Sequence, residues 1–413
     1  MNANESILDK DVAETISGYI RNSSERLSAA LDKHMQDTFQ PENRKVLRKF
    51  SMAEAGELIG TSTSNIRKLH SEGKIPEVES DGRGRRLYTA QQIHDIRKYL
   101  AETGRNSASY KPGRWSKDDH MQVIVIANFK GGAGKTTTSI HLANRMALKG
   151  YRVLGIDLDP QGSLTTNFGY RPEIDFRESG TIYDVLTYDN PIPLESVIRK
   201  TYFPNLDLVP AGILLSEYET ETALSFTQGV AGKLPFYVRL KAALETVEDD
   251  YDVVLIDCPP QIGFLTLTAL CAATGVLTTI HPSMYDVASM AQFQLLSSNL
   301  LATIEGAGLA LDWDFMRYVI TKYEPSRSTQ SQIAGFLRMT MGNDVLENEF
   351  LNSESVSLAS ADQKTIYEVD PSTQVKKTLD RAINSFNAVA TEIEVLMQES
   401  WGRKPSDMIR ERI

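Results

Sequence analysis

Cysteine is nearly absent: Cys258 and Cys271 are the only two in 413 residues. Two thiols cannot build a four-thiolate metal site or a disulfide framework, so a reducing compartment fits best. Cys258 also has no C-x-x-C companion with which to ligate an iron–sulfur cluster. Long apolar runs are missing as well. The longest apolar stretches, such as 269–280, are short and broken by threonines, which excludes a membrane span. The opening MNANESILDKDVAETISGYI has no basic stretch leading into an apolar one, so no secretory leader is expected. These absences predict a cytoplasmic protein with no membrane partner. No internal repeat is visible. A hydrophobic fraction of 41% and a charged fraction of 24% leave ordinary globular composition, with length for two or three domains.

Net charge is −10, which spread evenly would argue against nucleic acid. The spread is uneven: residues 41–100 hold twelve Lys/Arg against eight Asp/Glu, a local +4, which leaves −14 for the remainder. A basic module joined to an acidic body is the reading this asymmetry suggests. Residues 1–40 read as a helix, with Ile7, Val12, Ile16, Ile20, Leu27, Ala30 and Leu31 at helical spacing, and are expected to dimerise. Residues 41–102 form the basic segment. Residues 103–120 (TGRNSASYKPGRWSKDDH) have no apolar period and read as a linker. From 121 to 413, short apolar runs alternate with amphipathic helices, the pattern of an α/β domain.

Within the basic segment, Ser51 and Glu54 have capping-box spacing for a first helix that Gly60 would stop. A second helix over 63–71 faces inward with Ile66 and Leu69. Outward it carries Ser64, Asn65, Arg67 and Lys68. Helix, short turn and basic second helix is the helix-turn-helix layout. The stretch GKIPEVESDGRGRRLY then places Arg83, Arg85 and Arg86 at a hairpin tip suited to phosphates or a minor groove. The segment resembles the winged helix of MerR-type regulators, which implies DNA as a partner.

A second constellation begins at QVIVIAN, residues 122–128, an apolar run rich in β-branched residues. Phe129-Lys130-Gly131-Gly132-Ala133-Gly134-Lys135-Thr136-Thr137 follows, and then a helical pattern closed by Gly150. Strand, glycine-rich turn, Lys-Thr and helix form a phosphate cradle. Backbone N–H groups wrap the phosphate oxygens, Lys135 reaches the β and γ phosphates, and the Thr136 hydroxyl ligates Mg²⁺. The usual first glycine is replaced by Phe129, and a second lysine, Lys130, opens the loop. Two further apolar strands end in carboxylates: RVLGIDLD in Asp157 and Asp159, and YDVVLID in Asp257. A carboxylate at the C-terminal end of a parallel strand faces a nucleotide crevice, and Asp257 reads as the residue that holds Mg²⁺ through water.

Over residues 121–413 the chain resembles the ParA/MinD class of deviant Walker A ATPases. That resemblance implies an α/β P-loop fold with a mostly parallel sheet flanked by helices, preceded here by an N-terminal helix and a winged helix-turn-helix. The arrangement resembles the larger ParA type, most of all the RepA proteins of repABC plasmids. It implies ATP/ADP and Mg²⁺ as cofactors, with Gly131 to Thr137 around the phosphates. Lys130 becomes the signature lysine acting across a homodimer. Asp159 would orient the attacking water, and Asp157 would support the metal. Pro282, where a strand ends, and Lys322, near the adenine pocket, also match ParA-type chains. The implied function is plasmid partition with a ParB-like centromere-binding partner on the nucleoid, together with repression of the chain's own operon. A nucleotide-sensing repressor without a motor role is the alternative. One departure concerns 350–360, expected as a strand preceded by arginine, where Glu354 stands in the usual basic position. Arg327, Arg338, Lys364, Lys376 and Lys377 remain as candidates for nonspecific DNA contact.

Overall fold

The computed structural model describes residues 15–38, 45–104, 107–128, 130–176, 179–228 and 234–403. Two compact units divide the chain, up to Val46 and from Leu47 onward. In the first, α1 runs Ile16–Thr38. Ile16, Ile20 and Leu27 are exposed on it at spacings of four and seven. Ile7 and Val12 lie outside the described residues.

The second unit opens with a winged helix. Its elements are β1 (Phe50–Ser51), α2 (Met52–Ile59), α3 (Thr63–Ser71), β2 (Leu87–Tyr88) and α4 (Ala90–Thr103). Ser51 and Glu54 form the capping box at the start of α2, and Gly60 ends it in the left-handed region. The strands β1 and β2 pair antiparallel.

Beyond it lies a seven-stranded sheet. Its elements, in chain order, are β3 (Gln122–Ala127), α5 (Lys135–Lys149), β4 (Val153–Asp157), β5 (Arg199–Lys200), β6 (Leu206–Val209), β7 (Val253–Asp257), β8 (Gly275–Ile280), α6 (Met284–Gly306) and β9 (Phe315–Ile320). The spatial order is β5-β6-β4-β7-β3-β8-β9. Among the described residues, β5 alone runs antiparallel in this sheet. The central strands are buried along their whole length, which is why they read as continuous apolar runs and not as alternating ones.

The winged helix is not a separate bead. Its apolar residues, Phe50 to Leu100, belong to the same packed cluster as Ile124, Ile140 and Met146 of the sheet layer. One guanidinium ties the junction: Arg97 of α4, 4% exposed, donates from Nη2 to Leu58 O at 2.7 Å and to Leu148 O at 2.8 Å. Both carbonyls lie in the last turn of a helix, where no intrahelical N–H is available and a cation is favoured. Gly150 ends α5 at φ +99°, and a Cβ there would come within 2.4 Å of Arg97 Nη1. Arg145 of α5 adds an ion pair to Glu57 of α2 at 3.2 Å.

The segment expected as a linker is fastened down. It contains a short 3₁₀ turn, Ser107–Tyr110. The Arg114 backbone N–H donates to Asp252, and Trp115 N–H to Asp119 at 2.7 Å. Arg403 stacks on Trp115 and Trp401, with ring centroids 4.0 and 4.6 Å away. A second departure concerns 350–360. Only Leu351 makes a strand-like bridge, to Tyr323, and Glu354–Ala361 is a helix, α7. Ser355 and Ala359 are its buried residues, four apart, a spacing that marks one helical face. A last long helix, α8, spans Lys376–Ser400.

Arg97→Ala would orphan two buried carbonyls, at ~1–3 kcal/mol each. The chemical-denaturation midpoint should drop well below wild type, whereas Gln91→Ala, on the same helix and exposed, should leave it in place. Equal midpoints would show that the clamp contributes nothing to the junction.

Candidate nucleotide site and nucleic-acid interface

The crevice forms where β3, β4 and β7 end. Strand β3 leads into the loop 130–134, and α5 starts from Gly134, which is left-handed at φ +86° and gives no side-chain cap. The first N–H groups of α5 therefore point out of the helix with its positive dipole end behind them. A Cβ on Gly131 or Gly132 would meet nothing within 4 Å, so the loop is open on its outer side. Its inner side is pinned by residues after β9. Thr321 Oγ1 donates to Ala133 O at 2.9 Å, and Lys322 Nζ donates to Gly132 O at 2.7 Å. Lys322 holds φ +51°, a strained backbone for a residue with a side chain.

Lys135, 7% exposed, turns back under the loop, with Nζ 3.4 Å from Lys130 O. Burial lowers its proton affinity, and Asp257, Cys258 and Asp159 pull it back up. Parallel pairing of β4 with β7 sets Asp157 beside Asp257. Both carboxylates are fully buried. Burial pushes Asp257 up to about 6, against the hydroxyls of Thr136 and Ser139, which donate to it at 2.7 and 3.0 Å. Burial and then the charge of Asp257 push Asp157 up to about 8. Asp157 accepts from Thr165 N–H at 2.8 Å and Thr165 Oγ1 at 2.7 Å. Asp159, two residues further, is half-buried and accepts from Gln161 N–H at 3.0 Å.

Lys130 behaves differently from Lys135. Its Nζ lies 2.8 Å from Oδ2 of Asp286, a buried carboxylate in the first turn of α6. Its backbone N–H donates to Asn128 Oδ1 at 3.0 Å. Phe129 lies outside the described residues.

A cavity of about 230 Å³ opens beside the start of α5. Gly134, Thr137, Lys322, Asn352, Ser353 and Val356 are among its lining residues. Ser353 Oγ is buried there without a hydrogen-bond partner, a donor and acceptor in an otherwise mixed wall. Pro282, expected near the nucleotide, is buried between the end of β8 and α6 and is not among the residues lining this cavity. The sequence reading missed Asn128, Ser139, Asp286, Asn352 and Ser353. For Asn352 and Ser353 the signal is the polar pair in the F-L-N-S stretch, whereas Asn128, Ser139 and Asp286 are marked only by contacts made in the fold.

At the other interface, Ser64, Arg67 and Lys68 are exposed on α3, and Asn65 is half-buried. Arg83, Arg85 and Arg86 are exposed on the wing, which closes through a Ser80–Arg86 bridge. Of the basic residues proposed for nonspecific contact, Arg327 and Arg338 are ion-paired, to Glu324 and Glu349. Lys376 and Lys377 stand exposed at the start of α8 with Arg381. Among the described residues no cluster of three His, Cys, Asp or Glu could hold a metal by itself, and no helix is long and apolar enough to cross a membrane.

Comparison with known proteins agrees on both halves. The AAA domain family matches residues 121–304, and the MerR HTH family regulatory protein matches 50–104. A protein named as a replication protein A, from Sinorhizobium fredii, is 47% identical over 89% of this chain and 90% of its own. The chromosome partitioning protein ParA of Caulobacter vibrioides is 33% identical over 60% of this chain and 88% of its own. Cobyrinic acid a,c-diamide synthase from Mycobacterium smegmatis, solved with an ATP analogue and magnesium, superposes with a TM-score of 0.53 at 25% identity, over 69% of this chain and 98% of its own.

Two measurements test the site. Lys135→Ala removes the cation inside the loop, and loss of one such donor costs about 10²–10³ in rate; nucleotide binding or turnover at the wild-type level would reject the assignment. The second concerns pH. From ~4, where an unfolded aspartate ionises, to about 8, the folded Asp157–Asp257 pair holds more protons than the unfolded chain. Stability of the nucleotide-free protein should therefore fall as pH rises through that window. Asp157→Asn should flatten the decline between pH ~6 and ~8; a slope as steep as wild type would mean that other groups set it.

Proposed function

The chain belongs to the ParA-type partition ATPases, close to the replication protein A branch, and from that membership we propose how its two modules are used. ATP brings two copies together. The dimer binds DNA nonspecifically and moves replicon copies apart with a ParB-like centromere-binding partner that stimulates hydrolysis. The winged helix binds the operator of the chain's own operon and represses it.

The observation that carries this reading is the separation of the two loop lysines. Lys135 lies inside the cradle, and Lys130 is held outside it by Asp286. Two ammonium groups on one triphosphate would repel each other, whereas a second nucleotide across a dimer offers Lys130 a partner of its own. In this scheme Lys135 and the N–H groups of Gly131 to Thr137 bind the β and γ phosphates. Lys130 leaves Asp286 for the other subunit's nucleotide as charge develops there. Asp159, half-buried beside the loop, accepts a proton or orients water at the γ-phosphate.

The donor set fits magnesium: the Thr136 hydroxyl with Asp257 and Asp157 is all oxygen, as that cation requires. When bound, magnesium neutralises the phosphate charge. Asp257 already orients the Thr136 hydroxyl, and the all-oxygen pocket explains why two acids are buried side by side. Lys322 and the cavity with Asn352 and Ser353 would take the base. Lys376 and Lys377, unlike Arg327 and Arg338, are left for the nonspecific DNA surface.

Lys130→Ala should keep nucleotide affinity within about tenfold, ~1.4 kcal/mol, yet lose ATP-dependent dimerisation and stimulated turnover. Sedimentation and phosphate release, with DNA and partner present, read both. Normal dimerisation and turnover in the variant would remove the role across the interface.

A further inference from the structure

Polar and basic residues on α3 and the wing have the chemistry to contact DNA, but the structure commits several of them to internal bonds. On α3, Ser64, Arg67, Lys68 and Ser71 are exposed, and the spacing puts them on one face. Asn65 is turned inward. Its Nδ2 donates to Thr61 Oγ1 at 2.9 Å, and its backbone N–H to Ser62 Oγ at 3.1 Å. It therefore fixes the start of the helix. Lys68 has Glu72 at 3.7 Å, an acid already held by Lys74 at 2.6 Å. Arg67 has no ion-pair partner among the described residues. It stands between two serines, Ser64 and Ser71, each one turn away, so nothing on that face keeps its guanidinium from a groove floor.

The wing divides in the same manner. Asp81 accepts from the N–H groups of Arg83 and Arg85 at 2.9 and 2.8 Å, and from Arg85 Nε at 2.7 Å. Gly84 at φ +72° closes the loop by donating to Asp81 O at 2.9 Å. Those bonds from Arg85 hold the Asp81 carboxyl below its usual range. The Arg85 charge is thus matched within the wing. Arg83 projects from the same tip with no ion pair among the described residues.

We propose that Arg67 reads a guanine in the operator, that Arg83 anchors the wing on the phosphate backbone, and that Arg85 is a positioning residue which shapes the tip without touching DNA. This rests on the DNA-binding reading given above for the winged helix. The base assignment follows from donor geometry: the planar guanidinium fork matches O6 and N7 of guanine with two parallel bonds, and no other base offers that pair of acceptors. Lys68, a point charge beside an acid, lacks the fork.

The full-length protein is used to select duplexes from a randomised library. Each guanine of the enriched sequence is then replaced in turn by 7-deazaguanine, which lacks the N7 acceptor. Wild type should lose about tenfold in affinity at one guanine per half-site. Arg67→Ala should bind the selected duplex close to its random-duplex affinity and ignore the replacement. Arg67→Lys, which keeps the charge and loses the fork, should retain the salt dependence and still lose the discrimination. Arg83→Ala should weaken selected and random duplexes alike and lower the salt slope by about one, whereas Arg85→Ala should weaken binding with the slope unchanged. If Arg67→Ala enriches the same sequence with the same sensitivity to 7-deazaguanine, the guanine contact is wrong. Equal loss on both duplexes with a smaller slope would make Arg67 a backbone contact and also overturn the proposal. A salt slope unchanged in Arg83→Ala, or reduced in Arg85→Ala, would overturn the division within the wing. If wild type enriches no sequence at all, the DNA-binding reading of the winged helix falls, and this assignment with it.

Discussion

The first turn of α5 leaves backbone N–H groups with no acceptor inside the helix, and no side chain caps them. The surrounding structure is arranged to keep that end open without letting it drift. Thr321 and Lys322 hold the preceding loop by its carbonyls, so that its N–H groups stay outward. The body of the helix is fixed by groups that cannot compete for an anion. His141 is buried and pushed down to about 4, so it is neutral. Its ring nitrogens bond Thr137 O and the Ile366 N–H. Asn144 donates to Thr365 Oγ1 at 2.9 Å. A helix held this way along its length can leave its positive end unmet.

Electrostatics around that end are divided by depth. Two buried acids, Asp157 and Asp257, crowd each other on adjacent strands, and the buried ammonium of Lys135 faces them. Nearer the surface, the Lys130–Asp286 pair has one partly exposed and one buried member. An exposed lysine can exchange partners at little cost, because its desolvation is incomplete. The deep set is different. Its two acids are met inside the crevice by the Lys135 ammonium and by the hydroxyls of Thr136, Ser139 and Thr165, so its partners cannot be traded for solvent.

Much of this was legible in the sequence where local rules decide. The capping box at Ser51, the left-handed stop at Gly60, α3 over 63–71, and the strands leading to Asp157 and Asp257 all follow from residue type and period. What escaped depended on contacts between residues far apart in the chain. Asp286 looks like an ordinary helix-start acid until the fold sets it against Lys130, 156 positions away. Ser139 reads as a polar residue on a helix face, but it bonds Asp257. Residues 103–120 have the composition of a linker, yet such a segment can still be pinned, here by Arg114, Asp119 and Arg403. The strand expected near 350–360 gives way to a helix over 354–361, whose small buried residues, Ser355 and Ala359, form one face.

The continuity between the winged helix and the sheet layer bears on how such a protein can be taken apart or recombined. Sequence boundaries near 105 invite a cut there, as though a reader of DNA had been appended to an engine. Such a cut would strip Arg97 from the end of α5 and uncover the apolar faces that Phe50, Leu58, Ile93 and Leu100 now share with the larger body. A version of this chain without the module would need polar replacements along that seam. A chimera that exchanges one reader for another has to import the seam with it, so the unit of inheritance is larger than the unit visible in the motif.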